Sequence, residues 1–378
     1  MAQYFTERLE KVFHMIFTSY NQEMAQEGLR QLELIVNNQQ SPEQTKHQAL
    51  RNDMTTSLEN EIDTKEDALK IANNPESREI ADAYALLARI YAGPRFTWEE
   101  SNFPENNMRT YQCLHDSIRR CSPIGTLQAL RINGTITPTV EKDMLISFND
   151  AFHIVYDYAK QGDAFCQYII GNVFFWRDDD RISLARDMIT PPRLSLAKRI
   201  QQSLQKGSIQ ERISTLQGTV SDETLQENAT TFAKEWFNKA LNNGLAMFQG
   251  NLRNIYIDEG DFDNARRVAL TAAELGNPTM MLYTGLDCHE HGKFEDAFTW
   301  FTKGSTLGQS ESIAELADYY YHFYDTKELR RLIPYDPVKA IGLYRRAATK
   351  HFSDAGYAAL QAAFGYIFHI GHLPLDWG

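Results

Sequence analysis

Hydrophobic positions recur at helical spacing along the chain, and the alternation typical of strands is missing, so the sequence predicts helices throughout. Phe5, Leu9, Val12, Phe13 and Ile16 form one apolar stripe, and Leu29, Leu32, Ile35 and Val36 continue it. Ser41-Pro42-Glu43-Gln44 is a helix start signal: a Ser cap, Pro in the first helical position, and Gln placed to close a capping box. The helix it opens is mostly polar, with Leu50, Met54, Leu58, Ile62, Leu69 and Ile71 as a sparse stripe, and Asn73-Asn74-Pro75 ends it. Residues 1–75 are therefore expected to form an N-terminal helical cap or bundle.

Beyond Pro75 the pattern repeats. Phe294, Ala297, Trp300, Gly304 and Gly308 define a frame that also catches Phe262, Ala265, Val268, Ala272 and Gly276. It catches Thr230, Ala233, Trp236, Ala240 and Gly244 as well, three copies following at a 32-residue step. Phe148 to Gly162 and Pro337 to His351 supply two more. A second frame, Leu87-Ala88 with Tyr91 and Gly93, recurs at Ile170-Gly171 with Phe174, Leu252-Arg253 with Tyr256, Thr284-Gly285 with Cys288, and Leu316-Ala317 with Tyr320. Pro123 to Asn133 is a degenerate further copy. One unit thus holds two helices. Small residues recur where helix backbones must approach, an aromatic fills the groove beside them, and Gly closes the second helix in a left-handed cap. Such pairs bury their apolar faces only by stacking. The expected fold is all-α: an α-solenoid (superhelix) of stacked antiparallel helix pairs over residues 76–378, preceded by the N-terminal helical segment. An insertion is expected at about residues 177–229. Tyr357 to Ile370 is apolar nearly all round and predicts a buried helix, with His372 to Trp377 folding back as a cap.

These motifs resemble the tetratricopeptide superfamily, and more closely its Sel-one-like branch. Leu87-Ala88-Arg89-Ile90-Tyr91-Ala92-Gly93 is similar to that branch's first-helix pattern. Ala265 to Gly276, Trp300 to Gly308 and Tyr344-Arg345-Arg346-Ala347-Ala348 are similar to its second-helix pattern. Arg253 replaces an expected small residue and Cys288 an expected aromatic. The resemblance implies adaptor or scaffold work on protein partners, without catalysis.

Composition adds exclusions. Net charge is −12, with hydrophobic residues at 43% and charged residues at 23%, which is globular composition with no clustered basic face for nucleic acid or anionic lipid. The four cysteines stand far apart, so neither a disulfide framework nor a zinc ribbon is expected. The first residues mix charges among apolar positions, unlike a signal peptide, and no run approaches a membrane span. The expected compartment is the cytoplasm; delivery by a signal-independent secretion system is compatible with the same features.

Candidate chemistry is sparse. Cys288-His289-Glu290-His291 is the most metal-like cluster, but neighbours on a helix diverge and no distant pair completes a site. Asp178-Asp179-Asp180 lacks the Gly and distal Glu of a calcium loop and reads as a solvated charge run. Cys166, among apolar neighbours, reads as a buried structural thiol. Catalytic, metal and cofactor sites are not assigned. By the repeat frame Phe174 and Tyr320 should be core. Phe175, Trp176, Tyr321 and His322 then turn to the inner surface with Asn172, Asn254, Asp258, His289 and Asp318, a set of aromatic and polar groups suited to clamping a peptide. The expected function is a non-catalytic scaffold or adaptor binding an unidentified protein or peptide there, a neutral or basic segment by charge. The alternatives are a signal-peptide or small-ligand sensor, an enzyme with its site in the insertion or N-terminal segment, and a structural oligomer.

Overall fold

A computed structural model describes residues 3–37, 64–93, 96–98, 101–132, 141–192, 194–217, 220–247, 249–324, 326–349 and 355–367, and every regular element among them is helical. Contacts divide the chain into two compact units. The first holds residues 1–12, 30–92 and 105–244; the second holds 13–29, 93–104 and 245–378. Helices α1 (Glu7–Phe17) and α2 (Gln22–Asn37) open the chain.

In the first unit follow α3 (Lys65–Asn73), α4 (Pro75–Tyr91), α5 (Asn107–Ile118), α6 (Pro123–Ile132), α7 (Phe148–Lys160) and α8 (Ala164–Phe175). After the 3-10 turn Asp178–Asp180 come α9 (Ser183–Ile189), α10 (Leu196–Ser203), α11 (Ile209–Gln217) and α12 (Asp222–Asn242). Each of α4 to α7 packs on its successor, and α8 then pairs with α12 across the intervening segment. The second unit continues with α13 (Gly250–Asp258), α14 (Phe262–Glu274), α15 (Pro278–Glu290), α16 (Phe294–Thr306), α17 (Ser310–Tyr321), α18 (Lys327–Leu332), α19 (Pro337–Ala348) and α20 (Ala355–Ile367). Here α13 to α17 pack in sequence, then α17 on α19 and α19 on α20. Both units are stacks of consecutive helix pairs, the solenoid arrangement that the repeats predict.

The frame explains the packing. Its alanines, Ala151, Ala233, Ala265, Ala297 and Ala340, are buried in all five copies. The expected groove position is buried at Ile154, Trp236 and Val268 and half-buried at Trp300 and Leu343, and the next position along is filled by Phe237, Phe301 and Tyr344, all fully buried. Val155 and Ala269 hold the same buried position in the other two copies. A Cβ on Gly171 would lie 2.5 Å from the Phe237 ring, and one on Gly285 would lie 2.6 Å from Phe301. Glycine is thus the residue that lets each ring seat directly on the paired backbone. Gly276 and Gly308 close α14 and α16 at φ 101° and 93°, and the next amides return to Ala272 O and Gly304 O at 3.0 Å. That is the left-handed cap that only glycine takes without strain.

Several expectations are corrected. Position 75 does not separate the compact units, because the first residues are anchored to the helices beyond it. Arg78 on α4, with no exposed surface, donates to Asp82 at 3.0 Å, Ala72 O at 2.7 Å and Tyr4 O at 2.6 Å. Its guanidinium lies 4.1 Å from the Tyr4 ring centroid, while Ser122 donates to Asp82 at 2.6 Å and the Tyr4 amide donates to Asp163 at 2.9 Å. Burial pushes the Asp82 carboxyl up to about 6, against the opposing pull of Arg78 and Ser122. Only Asp180 of the charge run is solvated: Asp178 and Asp179 are buried, Asp178 against Arg131 and Asp179 between Arg177 and Arg186. Helix α12, which carries the frame that resumes after the expected insertion, already starts at Asp222 under a Ser221 cap. Helix α20 buries Ala358 and Ala362 but leaves Leu360 and Phe364 exposed, because it packs on α19 along one side. The start signal at Ser41 and the stretch from His372 to Trp377 lie outside the described residues.

Candidate functional site

The second unit carries a cleft of about 730 Å³ lined by α13, α14, α15 and α16. Short three-residue turns hold these four helices in register, so side chains from successive repeats converge. Arg253 of α13 stacks on Tyr283 of α15, its guanidinium 4.0 Å from the ring centroid. Arg266 of α14 bridges Asp287 at 2.8 Å and Asp263 at 2.6 Å. Trp300 of α16 lies under Lys303, whose ammonium is 4.2 Å from the indole ring. Phe262 and Leu270, also on the lining, are 56% and 41% exposed. Aromatic faces, aliphatic tips and paired charges thus stand open to solvent, the mixture that suits peptide side chains.

The same cleft contains Cys288 and His291, whereas His289 turns away to Tyr319. Burial first, then Asp296 and Asp287, push the Cys288 thiol up, so it is held as a thiol and not as a nucleophilic thiolate. His291 bonds the Asp287 carbonyl at 2.7 Å. The four-residue cluster therefore diverges into separate contacts. No group of three metal-type ligands occurs among the described residues.

The nine residues expected on the inner surface fall into several groups. In the first unit Phe175 is half-buried, 4.8 Å edge-on to Trp176, which is 50% exposed under Arg131. Asn172 is half-buried one turn before. In the second unit Asn254 and Asp258 are exposed on α13. His289 bonds the Tyr319 hydroxyl at 2.7 Å with its ring 4.3 Å from Tyr324, and burial lowers its pKa. Asp318 is buried and accepts from the Tyr344 and Tyr357 hydroxyls, so it serves the core. Burial raises its pKa against those two hydrogen bonds. Tyr321 and His322 come together beside Tyr335, with His322 left-handed and bonded to Ile333 O at 2.8 Å. Tyr319, not Tyr320, is the fully buried aromatic of α17.

None of the nine lines the cleft. The signal that pointed to it was the pair of departures from the repeat, Arg253 and Cys288, both of which do. A residue that breaks a packing frame is free to serve a surface.

No family profile and no curated protein matches the chain. Among solved structures, a protein described as a Sel1 repeat protein from Oxalobacter formigenes is 15% identical over 74% of this chain and 89% of its own, with a TM-score of 0.35. The c5321 protective antigen of uropathogenic Escherichia coli strains, described as displaying an SLR fold, is 12% identical over 97% and 80%, with a TM-score of 0.33.

Proposed function

We propose that the chain is a non-catalytic scaffold that holds a protein or peptide segment in the cleft of the second unit. The observation that carries this reading is the open lining itself, with Phe262, Leu270 and Trp300 beside the stacked Arg253–Tyr283 pair. A segment presenting apolar side chains gains contact with the aliphatic and aromatic surface there, and Arg253 offers its guanidinium edge to a backbone or side-chain acceptor. Each unit keeps its own second candidate contacts, Asn172, Phe175 and Trp176 in the first and Asn254, Asp258, His289, Tyr321 and His322 in the second.

The test is affinity capture from the native host with three forms of the protein. One is the wild type, one Phe262→Ala/Leu270→Ala/Trp300→Ala, and one Trp176→Ala/Tyr321→Ala/His322→Ala. Loss of specific partners in the first variant alone, with helical circular dichroism unchanged, is the expected result. Partners retained by that variant and lost by the second move the site to the other set; partners retained by both sink the reading.

A further inference from the structure

The segment that interrupts the repeat differs from the rest of the chain in charge and in surface. Helices α10 and α11 pack on one another as a hairpin, and Ser203 alone is buried among residues 194–210. The large aliphatic side chains described on these helices and at the α10 cap face solvent: Leu196 at 59%, Ile200 at 44%, Leu204 at 73%, Ile209 at 77% and Ile213 at 48%. Leu196, Ile200 and Leu204 are spaced four apart, as are Ile209 and Ile213, so each helix presents one apolar stripe. Helices of 8 and 9 residues are too short to hold themselves in water, and this pair has no core to do it for them. Something outside the hairpin must supply the apolar environment.

Charge indicates what that is. Between residues 196 and 217 the sequence carries Lys198, Arg199, Lys206 and Arg212 against the single acid Glu211, in a chain whose net charge is −12. The composition average hides this basic segment. A second hairpin from another copy would bring like charges together, so charge opposes self-pairing of the stripes. The hairpin's side chains line neither described cavity, the cleft of the second unit nor a smaller one between α7, α8 and α12. Aliphatic tips flanked by long cations that can reach past them match a flat anionic surface with an apolar interior.

We infer that the α10–α11 hairpin is a peripheral docking element for anionic membrane surfaces, lying in the headgroup layer without spanning it. No described helix is long and apolar enough to cross a membrane, which fits adsorption and not insertion. The element belongs to the first unit and uses no residue of the proposed peptide cleft, so either can fail without the other.

The test is co-sedimentation of the full chain with phosphatidylcholine vesicles, alone or with about 30% phosphatidylserine, in about 0.05 and about 0.5 M salt. Two exposed-site variants accompany the wild type: Ile200→Ser/Leu204→Ser/Ile209→Ser and Lys198→Glu/Lys206→Glu, each checked for unchanged helix content. The expected result is binding to the anionic vesicles at low salt, weakened at least about fivefold by either variant and by high salt, with neutral vesicles drawing down little. No binding to anionic vesicles, equal binding to both compositions, or binding indifferent to the variants overturns the inference. So does a wild-type dimer in sedimentation velocity that the serine variant dissociates, which would make a second copy the occupant. A designed acidic amphipathic helix that binds the hairpin while anionic vesicles do not would overturn it in favour of a protein partner.

Discussion

Arg78 and Asp82 show how a few buried polar residues fix the N-terminal segment. The guanidinium is fully enclosed, but each of its three nitrogens donates to an acceptor: Asp82, Ala72 O and Tyr4 O. Removing one partner of such a pair strands the other charge, so Asp82→Ala should cost about 3–5 kcal/mol in urea unfolding. Titration gives a second handle. A carboxyl at about 6 in the folded chain and about 4 in the unfolded chain binds its proton more tightly when folded. Its contribution to stability is therefore present below pH ~4 and lost as pH rises through 6. The urea midpoint of the wild type should fall across that window from this group, and Asp82→Asn should remove that component. None of this was legible in the sequence: Tyr4 and Arg78 stand far apart along the chain, and a lone Arg in an amphipathic stretch reads as surface.

At the scale of elements, the repeat frame carried real packing information because helix pairs are local and small residues mark backbone contact. It left out the next position along, about 100° further round the helix and buried in every copy, while its own aromatic position is buried at Trp236 and half-buried at Trp300. In that copy Phe301, and not the larger Trp300, is the ring that seats on Gly285. Two glycines separate contact from propensity. Gly285→Ala puts a Cβ 2.6 Å from the Phe301 ring and should destabilise by about 1–3 kcal/mol. Gly342→Ala, inside α19 with nothing within 4 Å of the new atom, should stabilise by about 0.5–1 kcal/mol. Opposite signs in thermal melts are the expected outcome; equal losses would show that the ring contact is not what Gly285 serves. The insertion was also legible, since it breaks the frame. That α8 packs on α12 across it was not, because a sequence gap carries no direction.

For the whole molecule, chain order and compact units part company. The second unit draws in residues 13–29 and 93–104, where Tyr20, Ala25 and Trp98 form a buried cluster with Leu307 packed against it. Trp98 donates its indole N–H to Ile16 O at 2.8 Å, and Tyr20 lies against the position of the Gly276 cap. A fragment of residues 245–378 lacks that cluster and should melt less cooperatively than the full chain, with weakened near-ultraviolet dichroism. A fragment melting as sharply and as high as the full chain would show the borrowed segments to be dispensable. The sequence by itself determined the helices, their pairing and the repeat, because these follow from periodicity, caps and small residues within about forty positions. Tertiary structure alone decided which face of each helix is open, where the cleft lies and how the N-terminal residues are shared. Those depend on contacts between residues remote in sequence, whose side chains carry no local mark of the partner they will meet.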